Sequence, residues 1–199
     1  MPDLKLANSA PENVRCDALV VFAAPHGDSF ELRHDGLLTD EAAAVLRGLL
    51  APVRRGYTPP AAVVLPAAGA LRAEVVVFAL TASMADEDIR KAAGAGVRAV
   101  ADRETVAVLC PGASAAQAEA TVMGAVLGAY RYTTYKTSAA DQTTIAELIV
   151  LTPTARKQAV KEAVSDAQIT AAAVLSVRDL VNTPPADLTP MAFAEHVRR

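Results

Sequence analysis

The 199-residue sequence has no tryptophan, two cysteines and three histidines, and no excess of positive charge. Each shortage excludes something. Cys16 and Cys110 both flank apolar runs, which reads as two buried thiols in a reduced cytosol, with a disulfide or a ligand pair as the lesser alternative. His26, His34 and His196 are scattered, without histidine or carboxylate partners at ligand spacing on one element. His26 and His34 stand eight apart in an expected loop, where Asp28 and Asp35 could complete only a weak metal set. The formal net charge is −3 and the pI about 5.6, and the paired arginines are Arg54-Arg55 and Arg198-Arg199. Without a basic stripe, nucleic acid is not the expected partner. No apolar run reaches membrane-spanning length, and Met1–Asn8 lacks a secretory leader pattern, so a cytoplasmic location is the expectation.

What is present is apolar and alanine-rich, with 52% hydrophobic and 21% charged residues, as in a globular chain. The length fits one domain, or one domain and a linker, able to bury roughly 70% of its unfolded surface. Cys16–Ala24 is a continuous apolar run bounded by Pro25 and Gly27 and predicts a buried strand. Thr39 caps a helix to about Leu50, with Asp40 and Glu41 answering its dipole. Arg54–Pro60 is a basic, proline-closed turn. Val63–Leu65 and Glu74–Phe78 predict two strands of a hairpin turning at Gly69. Asp86-Glu87-Asp88 opens a helix to about Ala101, and Thr105–Leu109 is a strand closed by Pro111-Gly112. Ser114 and Gln117 form a capping-box pair for a helix to about Tyr130. Tyr130–Ser138 reads as a polar, aromatic loop or edge, and Thr144–Leu151 as a last strand before Pro153.

Thr154–Val181 has helical spacing, with Val160, Val164, Val174, Leu175 and Leu180 apolar and Lys157, Lys161 and Glu162 on the other side. Such a helix is roughly 40 Å long at 1.5 Å per residue. That exceeds the width of a small domain, so its end is expected to project or meet a partner. The element order implies α/β architecture, a mixed sheet with helices on both faces.

The chemical constellations are weak. Asp86, Glu87 and Asp88 read as dipole partners rather than metal ligands. Gly94-Ala95-Gly96-Val97-Arg98-Ala99 matches G-x-G-x-x-A by letter, but inside a helix, where close packing accounts for small residues. Gly124 and Gly128 read the same way. The strand-to-helix turn at Gly112–Ser114 could hold an anion on its N–H groups, though with one glycine. No G-x-S-x-G occurs, Ser114 has no histidine nearby in sequence, and Lys136 stands alone in a polar loop. No active site is visible on internal evidence, and no catalytic, metal or cofactor residue is assigned.

The most specific stretch is Val177–Phe193. Asn182 tolerates the left-handed conformation that ends helices. Thr183 and Pro184 each precede a proline and are pushed to extended geometry. Thr189 is then a good N-cap, with Pro190 at the first helical position. A surface helix–loop–helix connection is one reading. The other is an elbow toward something beyond Arg199, since a domain rarely closes on a helix start.

Two stretches together resemble the amino-terminal region of the M17 leucyl, or cytosol, aminopeptidases. One is Gly128–Lys136, with Tyr130-Arg131-Tyr132-Thr133-Thr134-Tyr135-Lys136 similar to a family segment. The other is Arg178–Pro190, similar to the family's interdomain junction, with Ala186-Asp187 departing where an asparagine is common. The resemblance covers essentially the whole chain. It implies a macro-domain-like α/β domain over residues 1–153, then a linker helix, a Pro-rich junction and the start of a catalytic domain over residues 154–199. It implies a catalytic domain outside this sequence, carrying two divalent metals (manganese or zinc) that release amino-terminal residues from peptides. The family's metal-binding signature is absent here, so the 199-residue chain alone is expected to be inactive. The implied partners are its own catalytic domain, peptide substrates and copies of itself in a homo-hexamer, with no membrane. The alternative expectation is a macro-like module binding ADP-ribose or another nucleotide.

Overall fold

A computed structural model describes residues 1–53, 57–67, 69, 71–136 and 143–198. Strands β1 (Asp3–Ala7), β2 (Cys16–His26) and β3 (Ser29–Arg33) precede helix α1 (Asp40–Leu50). β4 (Ala61–Pro66) and β5 (Ala73–Leu80) follow, then α2 (Asp86–Arg98), β6 (Thr105–Leu109) and α3 (Ala115–Gly128). β7 (Glu147–Leu151), α4 (Gln158–Asn182) and α5 (Pro190–Arg198) complete the order. The sheet runs β1-β7-β6-β2-β5-β4, with β3 paired to the far half of β2. β1, β7, β6, β2 and β5 are mutually parallel, while β4 and β3 are antiparallel to their neighbours.

The mixed sheet is covered on both faces. Ala18, Val20 and Phe22 of β2 point into one core with Val77, Val108 and Leu148, beneath Ile89, Val97, Val122 and Val164 of the helices. Leu19, Val21 and Ala23 point to the opposite core with Phe78, Leu80 and Leu109, where α1 adds Ala42, Ala43, Leu46 and Leu50. A strand buried on both sides must be apolar at every position, which is why β2, β5 and β6 read as continuous runs. Thr39 caps α1 through its hydroxyl, which accepts from the Ala42 N–H at 3.3 Å.

Helices α2 and α3 lie almost in backbone contact. A Cβ on Gly124 would stand 2.1 Å from the Arg90 carbonyl oxygen, and one on Gly128 2.5 Å from that of Gly94. Gly96 lies flat on the sheet, where a Cβ would meet Val20 Cγ1 at 2.8 Å. The G-x-G-x-x-A letters therefore mark packing.

Several expectations change. β1 and β3 are strands that the sequence reading does not assign, and β2 continues past Pro25 to His26. The expected loop holding His26 and His34 is a hairpin turning at Gly27, whose φ of 57° suits glycine. α4 begins at Gln158, because Thr152–Arg156 closes a turn in which the Thr154 hydroxyl donates to the Ala113 carbonyl. Asn182 is not left-handed; it is the last helical residue, and Thr183, extended at φ −76° and ψ 126°, ends the helix as its proline neighbour requires.

α4 spans 25 residues, roughly 38 Å. Its buried residues are Val160, Val164, Ala167 and Ala171, all in the first half. From Ala172 to Asn182 every residue is at least partly exposed.

Candidate functional site

The two most specific stretches of the sequence, about fifty residues apart, meet at the end of α4. Tyr130 leaves the C-terminus of α3, and its hydroxyl donates to Asp179 Oδ1 at 2.8 Å and accepts from Asn182 Nδ2 at 3.0 Å. Arg178 lies over the Tyr130 ring, with Cζ 5.6 Å from the centroid, and donates to the Leu127 carbonyl at 3.2 Å. The Tyr132 hydroxyl pairs with Thr183 Oγ1 at 3.0 Å, and Thr183 also donates back to the Asp179 carbonyl. Tyr135 donates to Asp187 Oδ2 at 2.5 Å, and its ring tilts against Tyr132 at 6.0 Å between centroids. Three tyrosines from one loop thus grip the last turn of α4 and the proline elbow.

The grip fixes direction rather than chemistry. Hydrogen bonding to Asp187 holds the Tyr135 hydroxyl protonated and pushes its pKa up to about 12. Burial raises the Tyr130 pKa, and Asp179 adds to it against the opposing Asn182 bond. The elbow turns through Leu188 N–H to Pro184 carbonyl at 2.9 Å. Thr189 caps α5, accepting from the Ala192 N–H at 3.3 Å. A further tie joins Ser176 Oγ to His196 Nε2 at 2.9 Å. Among the described residues no carboxylate bonds the other nitrogen of that imidazole, so the pair links α4 to α5 and lacks the third group that activates a serine. An open cavity of about 660 Å³ lies beside the clasp, bounded by Met1, Arg131, Ile145, Leu175 and Asp179.

Beyond the clasp, α4 and α5 present an apolar face. Ile169 is 67% exposed, Val181 78% and Met191 76%, with Val177, Phe193 and Val197 also open. The i, i+4 series Ile169, Ala173, Val177 and Val181 forms one stripe on α4.

The other candidates resolve into structure. His26 sits at the hairpin turn and His34 beyond the end of β3, about 17 Å apart along the strand, too far to share an ion. His26 lies 4.0 Å from Glu31, and burial with the nearby Arg47 charge lowers the His34 pKa. Glu87 is held by Arg90 and Lys91, which depresses its pKa to about 2, and Ser83 donates to Asp88. That acidic trio does not fit a metal, and no group of three potential ligand side chains converges among the described residues. At the Gly112 turn the Gln117 side chain fills the space an anion would need: a Cβ on Gly112 would lie 2.0 Å from Gln117 Oε1. Ser114 caps α3 by accepting from the Gln117 N–H at 3.1 Å, so half of the capping box forms, while the Gln117 side chain lies against Gly112. Cys16 and Cys110 are buried free thiols, and burial pushes the Cys16 pKa up to about 11. Lys136 ends the tyrosine loop, its N–H donating to Thr133. Arg54-Arg55, Thr137, Ser138 and Arg199 lie outside the described residues. No helix among the described residues is long and apolar enough to cross a membrane.

Comparison with known proteins puts this geometry in context. Residues 67–139 match the cytosol aminopeptidase family, N-terminal domain. The chain is 33% identical to a probable cytosol aminopeptidase of Streptomyces coelicolor, over 98% of this chain and 42% of that protein. It is 34% identical to that of Micrococcus luteus, over 96% of this chain and 39% of the relative. The bottromycin maturation enzyme BotP, solved in complex with manganese, superposes on 92% of this chain and 35% of its own at a TM-score of 0.62 and 31% identity. A tomato leucine aminopeptidase mutant shares the fold over 100% of this chain and 42% of its own, at a TM-score of 0.73 and 19% identity. The chain thus spans about two fifths of the length of the relatives it matches. It belongs to the cytosol aminopeptidase family and has the fold of that family's amino-terminal domain.

Proposed function

We propose that this chain is the non-catalytic, macro-domain-like amino-terminal domain of a metal-dependent leucyl aminopeptidase. Residues 1–153 form the support, and residues 154–199 lead through α4 and the elbow into a catalytic domain. The observation that carries the reading is the division of α4. Its first half is rooted in the core by Val160, Val164, Ala167 and Ala171. Its second half keeps only the half-buried Leu175 on that core, is gripped by Tyr130, Tyr132 and Tyr135, and carries an open apolar stripe. A helix built this way transmits the orientation of one domain to another.

In this reading the complete enzyme is cytoplasmic and hexameric and removes amino-terminal residues from peptides. Two manganese or zinc ions in the catalytic domain supply the Lewis-acid chemistry. This chain's residues supply position: the clasp sets the exit angle of α5, and the α4–α5 stripe seats the next domain.

The test joins residues 1–199 to the remaining portion of the Streptomyces coelicolor relative. The joined protein should hydrolyse leucine p-nitroanilide with Mn²⁺, and a cysteine placed at Val181 should become protected from a thiol reagent. Activity without protection at Val181 would refute the stripe as the seat. Protection without activity would refute the catalytic assignment.

A further inference from the structure

β4 is an outer edge of the sheet, and among the described residues no strand pairs with its open side. The other outer strand, β1, carries Asp3 and Lys5, with Lys5 paired to Glu147. β4 reads Ala-Ala-Val-Val-Leu-Pro and has no charge at all. Uncharged edges are the ones that recruit another strand.

The register says which backbone groups are free. Ala67 N–H donates to the Glu74 carbonyl, and the same ladder pairs Ala61 with Leu80. In an antiparallel pair hydrogen-bonded positions alternate. Ala61, Val63 and Leu65 therefore turn their N–H and C=O groups toward β5, and Ala62, Val64 and Pro66 turn theirs outward. Pro66 has no N–H to offer, and neither has Pro60 at the preceding outward position. The open edge thus presents N–H groups at Ala62 and Val64, bracketed by prolines.

That short pattern is complementary to itself. Place Val63 on a two-fold axis opposite its own copy. Ala62 then faces Val64 of the partner subunit, and Val64 faces Ala62 of the partner subunit. Each of these two pairs exchanges both backbone bonds, so every free N–H finds a carbonyl. Pro60 and Pro66 fall opposite one another, where neither has an N–H to leave unpaired and their outward carbonyls stay open to water. The exposed Val64 side chain, 41% accessible, packs across the seam beside the partner's Ala62. No charge on either strand opposes the pairing, and the prolines confine it to one register.

We propose that β4 is a homotypic docking edge, which joins two copies of this chain by antiparallel β4–β4 pairing centred on Val63. The surface is separate from the α4–α5 stripe, and the inference does not rest on the aminopeptidase reading.

A cysteine at the axis tests it. The Val63→Cys chain should form a disulfide-linked dimer under mild oxidation on a non-reducing gel, ahead of Val64→Cys and Leu65→Cys, because only position 63 faces itself. Cys16 and Cys110 are buried and should not compete. In sedimentation equilibrium, Val64→Pro and Val64→Lys should each shift the concentrated chain from dimer to monomer. Val64→Pro removes only an outward N–H and leaves the β5 ladder intact, so its circular dichroism should match the unmodified chain. Val181→Lys, on the other apolar surface, should leave the β4 dimer in place. Equal cross-linking at all three positions, or an unchanged mass for both Val64 variants, overturns the proposal. A chain that stays monomeric while an added unstructured peptide protects the Val64 amide from exchange overturns it in favour of a peptide-binding edge.

Discussion

Replacing Tyr130, Tyr132 and Tyr135 with phenylalanine removes three hydroxyls and deletes four hydrogen bonds to Asp179, Asn182, Thr183 and Asp187. The three bonds of Tyr130 and Tyr132 each contribute near the low end of the usual range, about 0.5 kcal/mol. Their loss is about 1.5 kcal/mol, or roughly a ten-fold change in an opening equilibrium. It falls in one place. The fully buried residues of α4 end at Ala171 and beyond them only the half-buried Leu175 packs on the core, so the last turns can open with little loss of core contact. Hydrogen exchange should therefore speed by about that factor from about Val174 to Leu188, while Val160–Ala171 and the sheet keep their protection. The thermal midpoint should barely move. Unchanged exchange at the end of α4 would refute the clasp as its anchor. A fall of many degrees in the midpoint, with exchange rising throughout, would refute the division of α4 into a rooted and a gripped half.

Three further outcomes follow from the same structure. Gly124→Ala should destabilise by about 1–3 kcal/mol, because its Cβ meets the Arg90 backbone; Gly48→Ala, in open space on α1, should stabilise by up to about 1 kcal/mol, both read by urea unfolding. Raising the pH should loosen the clasp: Tyr130 and Tyr135 have raised folded pKa values, so their contribution is whole below pH 10 and is lost as the pH climbs, for Tyr135 through about 12. Phenolate absorbance should show a late-titrating group that Tyr135→Phe removes, and an unchanged titration would contradict the bond to Asp187. Cys16 and Cys110 should resist a thiol reagent in the folded chain and react together on unfolding; fast labelling in the native state would contradict their burial.

The elements most legible in the sequence are those with one dominant physical signal. β2, β5 and β6 are apolar throughout because helices cover both faces. α1 and α3 announce themselves through the side-chain caps Thr39 and Ser114. β1 and β3 carry a weaker one. Asp-Leu-Lys-Leu-Ala and Ser-Phe-Glu-Leu-Arg alternate, and Phe30 and Leu32 are buried while Glu31 is exposed. Five residues of alternation beside polar turns are easily read as loop, and pairing with β2 or β7 is what makes them strands. Asn182 shows how tertiary contact overrides a local preference: its amide is committed to Tyr130, and the prolines end the helix one residue later. The clasp joins residues about fifty positions apart, and no periodicity or spacing reports such a contact. The resemblance to one family marks both stretches but carries no expectation that they touch. The Ser176–His196 tie left no sequence signal.

As the proposed supporting domain, this chain should position an aminopeptidase without itself performing the chemistry. The most direct test incubates the purified 199-residue chain with Mn²⁺ and leucine p-nitroanilide. Release of p-nitroaniline should be no faster than in buffer with the metal alone. Turnover that scales with chain concentration and disappears with a chelator would contradict it.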